Sequence, residues 1–339
     1  MENKTPFFSV IMPCYNSRDT VARAVRSVIN QTFERWELIV VNDGSTDDTV
    51  EIIKKTCRED GRIKILSKQH GGYVSAVNFG LDHITGEYFI LLGSDDELNV
   101  GLFENLASFC EAKKPDMIGF GTVIKSGEEE KPDENTEYGS VVEEYGTDFK
   151  TFCRKWKDKT RILATRDTSK AYRSSLLSDL RYFGRSGMDA DGVFSMLFAR
   201  KCASFVLTPY VGYYWYLHAD SLSGRKKTKA TQTDRMKTWN KFFEEVVKTD
   251  ISETDDYAKA YLFYFYKVIV QTFVNYRFLA EDKELMDESR KTIKRCVDLY
   301  GLSCPCDMKL FLKKSAFWGI ACRISYYFGK IKKKLRRIY

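Results

Sequence analysis

The chain has 339 residues, 43% of them hydrophobic and 14% aromatic, which is enough for two domains or one large domain with an appendage. Its net charge of +7 is local: residues 308–339 hold ten Lys or Arg and no Asp or Glu, so the rest is slightly acidic, which argues against a nucleic-acid-binding body and for a basic attachment device at the end. Nine scattered cysteines, no apolar leader and no uninterrupted apolar run of the ~18–20 residues a spanning helix needs predict reduced thiols, a cytoplasmic setting and no transmembrane segment.

In chain order, strands and helices alternate. Residues 7–12 are a short apolar run, and Ser17 is placed to cap a helix striped by Val21, Val25, Val28 and Ile29. Trp36–Val41 predicts a second strand, ending at Asn42-Asp43-Gly44. Thr46 then caps a helix over residues 47–57, and Ile63–Leu66 predicts a third strand. A helix over about 74–84 leads to the strand Tyr88–Leu92. This alternation predicts an α/β fold with a mostly parallel sheet and helices on both faces. In such a sheet, ligands bind at the carboxyl ends of the strands.

Three of those strand ends are polar: Pro13-Cys14-Tyr15-Asn16, Asn42-Asp43-Gly44-Ser45 and Gly93-Ser94-Asp95-Asp96. Two readings of the last remain open from its residues alone. Ser94 and Glu97 fit a capping box that opens a helix. Alternatively, Asp95 and Asp96 supply hard oxygen ligands for Mg²⁺ or Mn²⁺ on a substrate diphosphate. The convergence of three polar strand ends favours the second. Neither G-x-G-x-x-G nor G-x-x-x-x-G-K-[ST] is present, so a glycine loop is not the main phosphate cradle.

Residues 125–140 read as a polar loop. The run 187–200 becomes helical from Asp191, and an aromatic strand follows Pro209 over residues 211–223. From about Thr228 the pattern is helical. The boundaries expected are 1–110, 111–227 and 228–339, the last ending in the basic tail.

The segments SVIMPCYN (9–16), VVNDGSTDDT (40–49) and GGYVSAVNFGLDHITGEYFILLGSDD (71–96) resemble the family 2 glycosyltransferases of the GT-A fold. The resemblance extends over roughly residues 7–225. It implies a Rossmann-like GT-A domain with a helical C-terminal extension, a UDP-sugar donor, inversion at the anomeric carbon and a divalent metal. It assigns Pro13, Tyr15, Asn16, Asp43, Ser45 and Asp95 to the nucleotide, Tyr15 lying against the uracil and Asp43 accepting a hydrogen bond from it. Asp95 and Asp96 would hold the metal, with His218 as a further metal or phosphate contact, and Ser221 lies in the same segment. Asp191 would be the general base, taking the acceptor proton, with Asp189 as the alternate.

Three departures stand out. Gly93 replaces the family's first acidic residue, Val77 stands where Arg or Lys is frequent, and Ala190 replaces the Glu before the base. They keep open a non-catalytic sugar-nucleotide-binding homologue, beside an oxidoreductase and a membrane-surface scaffold. Residues 309–339 mix aromatic and basic residues as an interfacial helix does. That composition suits a transferase acting on a saccharide or lipid-linked saccharide acceptor, peripheral on the inner face of the cell membrane.

Overall fold

Strands β1 (Phe8–Cys14), β2 (Trp36–Asn42), β3 (Ile63–Ser67) and β4 (Tyr88–Leu91) pair in parallel in the order β3-β2-β1-β4. Helices α1 (Val21–Ile29), α2 (Thr49–Cys57) and α3 (Tyr73–Leu81) connect them. β1 and β2 read as continuous apolar runs because both their faces are covered. Leu38 and Val40 of β2 join the large core with α1, while Ile39 and Val41 pack with Ala76 of α3 on the opposite face.

The sheet, shown in a computed structural model, continues as β9-β6-β10-β5 beyond β4. The model describes residues 5–132, 140–156, 166–184, 189–217, 228–248, 266, 269–270, 282–300, 306–314 and 318. The further elements of the first unit are β5 (Glu97–Leu98), α4 (Leu102–Lys113), β6 (Met117–Ser126), β7 (Glu129–Pro132), β8 (Val142–Tyr145), α5 (Phe149–Lys155), β9 (Lys170–Arg173), α6 (Ala190–Ala199) and β10 (Ser204–Tyr216). β9 is antiparallel to both β4 and β6, and β10 runs parallel to β6. The sheet is therefore parallel at the N-terminal end and mixed beyond it. A ring cluster of Phe89, Tyr172, Phe194 and Phe198 seats α6 on β4 and β9.

Several local expectations are corrected. The capping box fails: Glu97 and Leu98 form a two-residue strand paired with β10, and the next helix begins at Leu102. Thr46 does not cap α2, which begins at Thr49. Thr46 instead donates its N–H to Asn16 Oδ1 at 2.9 Å. The aromatic strand starts at Ser204, before Pro209, because its register shifts between Leu207 and Val211 and so tolerates the missing N–H.

The chain divides into two compact units, Met1–Arg225 and Lys226–Tyr339. In the second, α7 (Lys229–Lys248) packs on α8 (Lys283–Tyr300), and α8 on α9 (Cys306–Leu312). Met308, Phe311 and Trp318 are buried there, Trp318 Nε1 donates to the Tyr266 hydroxyl at 3.1 Å, and Lys314 pairs with Asp287 at 2.9 Å. The start of the expected interfacial tail is thus part of the helical core. Residues 319–339 lie outside the described residues, as do most of 257–280, and so do His218, Ser221 and the basic run 225–227. Among the described residues no helix is long and apolar enough to cross a membrane.

Candidate active site

The strand order reverses beside β1: β2 lies on one side and β4 on the other. Pairing of β1 with β4 ends at Ile11 opposite Leu91, whereas pairing with β2 continues to Cys14 opposite Asn42. The strands part where Pro13 sits, which opens the crevice expected at a topological switch point.

Hydrogen bonds stitch the crevice loops together. Asn16 adopts a left-handed conformation, φ 48°, and its N–H donates to Ser45 Oγ at 3.0 Å. Ser45 N–H donates to Asn42 Oδ1 at 3.0 Å, an Asx turn. The Ser17 and Ser94 hydroxyls meet at 2.8 Å. The loops after β1, β2 and β4 therefore form one connected rim, bringing together Pro13, Tyr15, Asn16, Asp43, Ser45, Asp95 and Asp96.

Asp43 is buried, and its carboxylate accepts from Lys68 Nζ at 2.8 Å, from Gly72 N at 2.8 Å and from Gly71 N at 3.0 Å. These amides lead into α3, whose first turn is a natural anion seat. Gly72, the residue before α3, has φ 84°, the left-handed region glycine reaches without strain. His70 Nδ1 stands 2.9 Å from Asp43 Oδ2, and its ring stacks on Tyr15, centroids 4.2 Å apart. Lys68 and His70 bring basic groups to this crevice, where Val77, fully buried, brings none.

Asp96 is buried at the far side. Its Oδ2 accepts from the Tyr213 hydroxyl at 2.5 Å and its Oδ1 from Tyr216 N at 3.0 Å. Burial first, and then the Asp95 charge, push its carboxyl up to about 7. Arg23 donates to the Asp95 carbonyl and stacks on the Tyr216 ring at 3.6 Å, while its Nε is buried without a partner. Gly93 leaves room for the two carboxylates: a Cβ there would stand 2.6 Å from Asp96 Oδ2 and 2.9 Å from Asp95 Oδ1. Among the described residues no group of three His, Cys, Asp or Glu could enclose a metal ion. A carboxylate pair short of positive charge still fits Mg²⁺ or Mn²⁺, which commonly use one or two carboxylates and complete their shell with phosphate oxygens and water.

Asp191 lies in the first turn of α6, in a second acidic cluster. Burial, followed by the charges of Asp167 and Asp189, pushes its carboxyl up to about 7. Asp167, also buried, accepts from the Tyr73 hydroxyl at 2.7 Å and from the Tyr182 hydroxyl at 2.6 Å. The backbone of Tyr182 is clamped by Asn78, whose Nδ2 donates to its carbonyl at 3.1 Å and whose Oδ1 accepts its N–H at 2.8 Å. Tyr73 directly follows Gly71 and Gly72, so α3 joins the Asp43 seat to the Asp191 cluster. Sequence reasoning missed Asp167, Tyr73, Tyr182, His70 and Tyr213. Only the doubled glycine before Tyr73 hinted at one of them, since it marks a close backbone approach.

Comparison with known proteins follows the same segments. Residues 9–180 match the family model described as glycosyl transferase family 2. An uncharacterized glycosyltransferase of Haemophilus influenzae is 38% identical over 126 residues, 37% of this chain and 38% of that protein. The minor teichoic acid biosynthesis protein GgaB of Bacillus subtilis is 41% identical over 113 residues, 32% of this chain and 13% of its own length. The matched segment therefore spans well under half of these relatives. The crystal structure of S. aureus TarS 1–349 in complex with UDP-GlcNAc superposes with a TM-score of 0.72 at 19% identity, covering 95% of this chain and 92% of that one. The fold is GT-A.

Proposed function

Starting from the fact that the chain belongs to glycosyl transferase family 2, we propose that it transfers a sugar, with inversion, from a UDP-sugar to a hydroxyl of a saccharide or lipid-linked saccharide in surface polysaccharide assembly. The observation that carries the reading is the hydrogen-bonded rim uniting residues 13–16, 42–46 and 93–96 at the switch point. Support for the donor class comes from the fold shared with TarS, which was crystallised with UDP-GlcNAc. Support for the setting comes from the teichoic acid protein among the relatives and from the basic stretch 323–337. Such a stretch suits an anionic inner membrane surface. Residues 1–110 would form the donor half and 111–227 the acceptor half.

Tyr15 offers its exposed face to the base, and Asp43 lies beside it as a hydrogen-bond acceptor. Asn16 and Ser45 hold the two loops at the spacing this needs. Asp95 and Asp96 would hold Mn²⁺ or Mg²⁺, which when bound neutralises charge on the departing diphosphate. Asp191 accepts the proton of the attacking hydroxyl. A carboxyl held near neutrality by burial and by Asp167 suits that task better than one of ordinary acidity. Because the leaving diphosphate needs no protonation by a second acid, one base suffices.

The test is calorimetric titration of UDP with and without Mn²⁺, followed by assay of UDP-sugar turnover. Micromolar UDP binding strengthened by Mn²⁺, together with donor turnover, is expected. A chain that binds no nucleoside diphosphate under either condition is not such a transferase.

A further inference from the structure

His70 has no role in the activity so far described, yet it sits on both groups that would receive the nucleobase. Its imidazole stacks on the Tyr15 ring at 4.2 Å with an interplanar angle of 30°. Its Nδ1 lies 2.9 Å from Asp43 Oδ2 and 3.1 Å from the Asp43 carbonyl. Both facing atoms are acceptors, so Nδ1 carries the proton and donates. A flat heteroaromatic ring that covers Tyr15 and donates an N–H to Asp43 reproduces the two contacts a uracil imide would make there. Rings 4.2 Å apart leave no slot between them for a third.

We propose that His70 is an internal stand-in for the nucleobase, parked on Tyr15 and tethered to Asp43, which the uracil of the donor must displace. This deepens the reading of the crevice as a uridine diphosphate site and rests on it. The backbone permits the exchange. His70 belongs to the loop between β3 and α3, its side chain is 53% exposed, and solvent is open to receive the ring. Asp43 does not depend on it, because Lys68 and the amides of Gly71 and Gly72 remain. Gly44, with φ 74°, lets the β2 loop approach closely: a Cβ there would stand 2.9 Å from the His70 backbone nitrogen. The backbone is thus held while the side chain swings. In the parked state the binding-competent fraction is small, and apparent affinity for UDP is lowered by that fraction. Cytosine, whose N3 accepts where uracil's N3 donates, cannot replace the tether.

Removing the stand-in should tighten binding, the opposite of what loss of a base contact does. We expect His70→Ala to bind UDP about tenfold more tightly than the wild type, with melting temperature unchanged. His70→Phe, which keeps the stack and loses the tether, should fall between them. The protein has only three histidines, so the His70 ring protons can be followed in the wild-type spectrum. They should move from ring-shifted positions toward free-histidine values as UDP saturates the site. His70→Ala binding as the wild type does or more weakly, or His70 resonances unmoved by saturating UDP, overturns the proposal and leaves the transferase reading intact. No binding of UDP by either protein overturns both.

Discussion

Asp43 and Asp191 are both carboxylates at the edge of one sheet, in opposite electrostatic settings. Asp43 stands before the first turn of α3 and is met by an ammonium group, two backbone amides and an imidazole. Asp191 stands in the first turn of α6, yet it faces Asp167 and Asp189, and burial adds to their effect. The first anion is satisfied by the protein and holds loops together. The second is left short of positive charge, and Asp96, beside Asp95, shares that condition. A shortage of compensation is what a proton relieves at a base and what a cation relieves at a metal site. The contrast separates an organising carboxylate from reactive ones more sharply than their positions in the chain do.

The largest effect should come from Asp191→Asn, lowering turnover by about 10²–10⁴-fold while UDP affinity measured by calorimetry stays within twofold. Proportional loss of binding and turnover would instead make Asp191 a structural residue. Asp43→Ala should act in the opposite manner. Lys68 and two amides lose their partner, and denaturant melts should show a loss of about 3 kcal/mol. Nucleotide binding should fall with it. If Asp43→Ala is as stable as the wild type, the organising role is wrong.

The next test concerns pH. Asp96 and Asp191 have carboxyls raised from the ordinary range to about 7. The folded chain therefore holds protons that the unfolded chain has released between about pH 4 and pH 7. Their contribution to stability is largest at the acid end of this window, declines as pH rises through it and is flat above. In metal-free, nucleotide-free protein, Asp191→Asn should flatten this slope and raise the melting temperature at pH 8. An unchanged slope in both Asp191→Asn and Asp96→Asn would show that neither group is raised. The smallest effect should come from Gly93→Ala. Its Cβ displaces the carboxylates of Asp95 and Asp96, so the gain in melting temperature on adding Mn²⁺, a few degrees in the wild type, should disappear. A full Mn²⁺ response in this variant would place the cation elsewhere.

The sequence by itself determined the α/β alternation, the two-faced burial of β1 and β2, and the three polar strand ends that converge. These are local properties: hydrophobic period, strand length and the residues that end a strand can be read within about ten positions. The same locality misled at Ser94 and Glu97, where a capping pattern was real as a pattern. Pairing of Glu97 and Leu98 with Tyr214 and Tyr213, far along the chain, overrode it. The boundary drawn at the start of the basic tail failed similarly, since burial of Phe311 against Tyr266 and Trp318 depends on neighbours outside any local window. Only the tertiary structure decided which groups compensate which charges. Tyr73 reaches Asp167 across 94 positions and Tyr213 reaches Asp96 across 117. A carboxylate's proton affinity depends on burial and on charges within a few ångströms, and the order of strands in the sheet, not the order of residues in the chain, sets those distances.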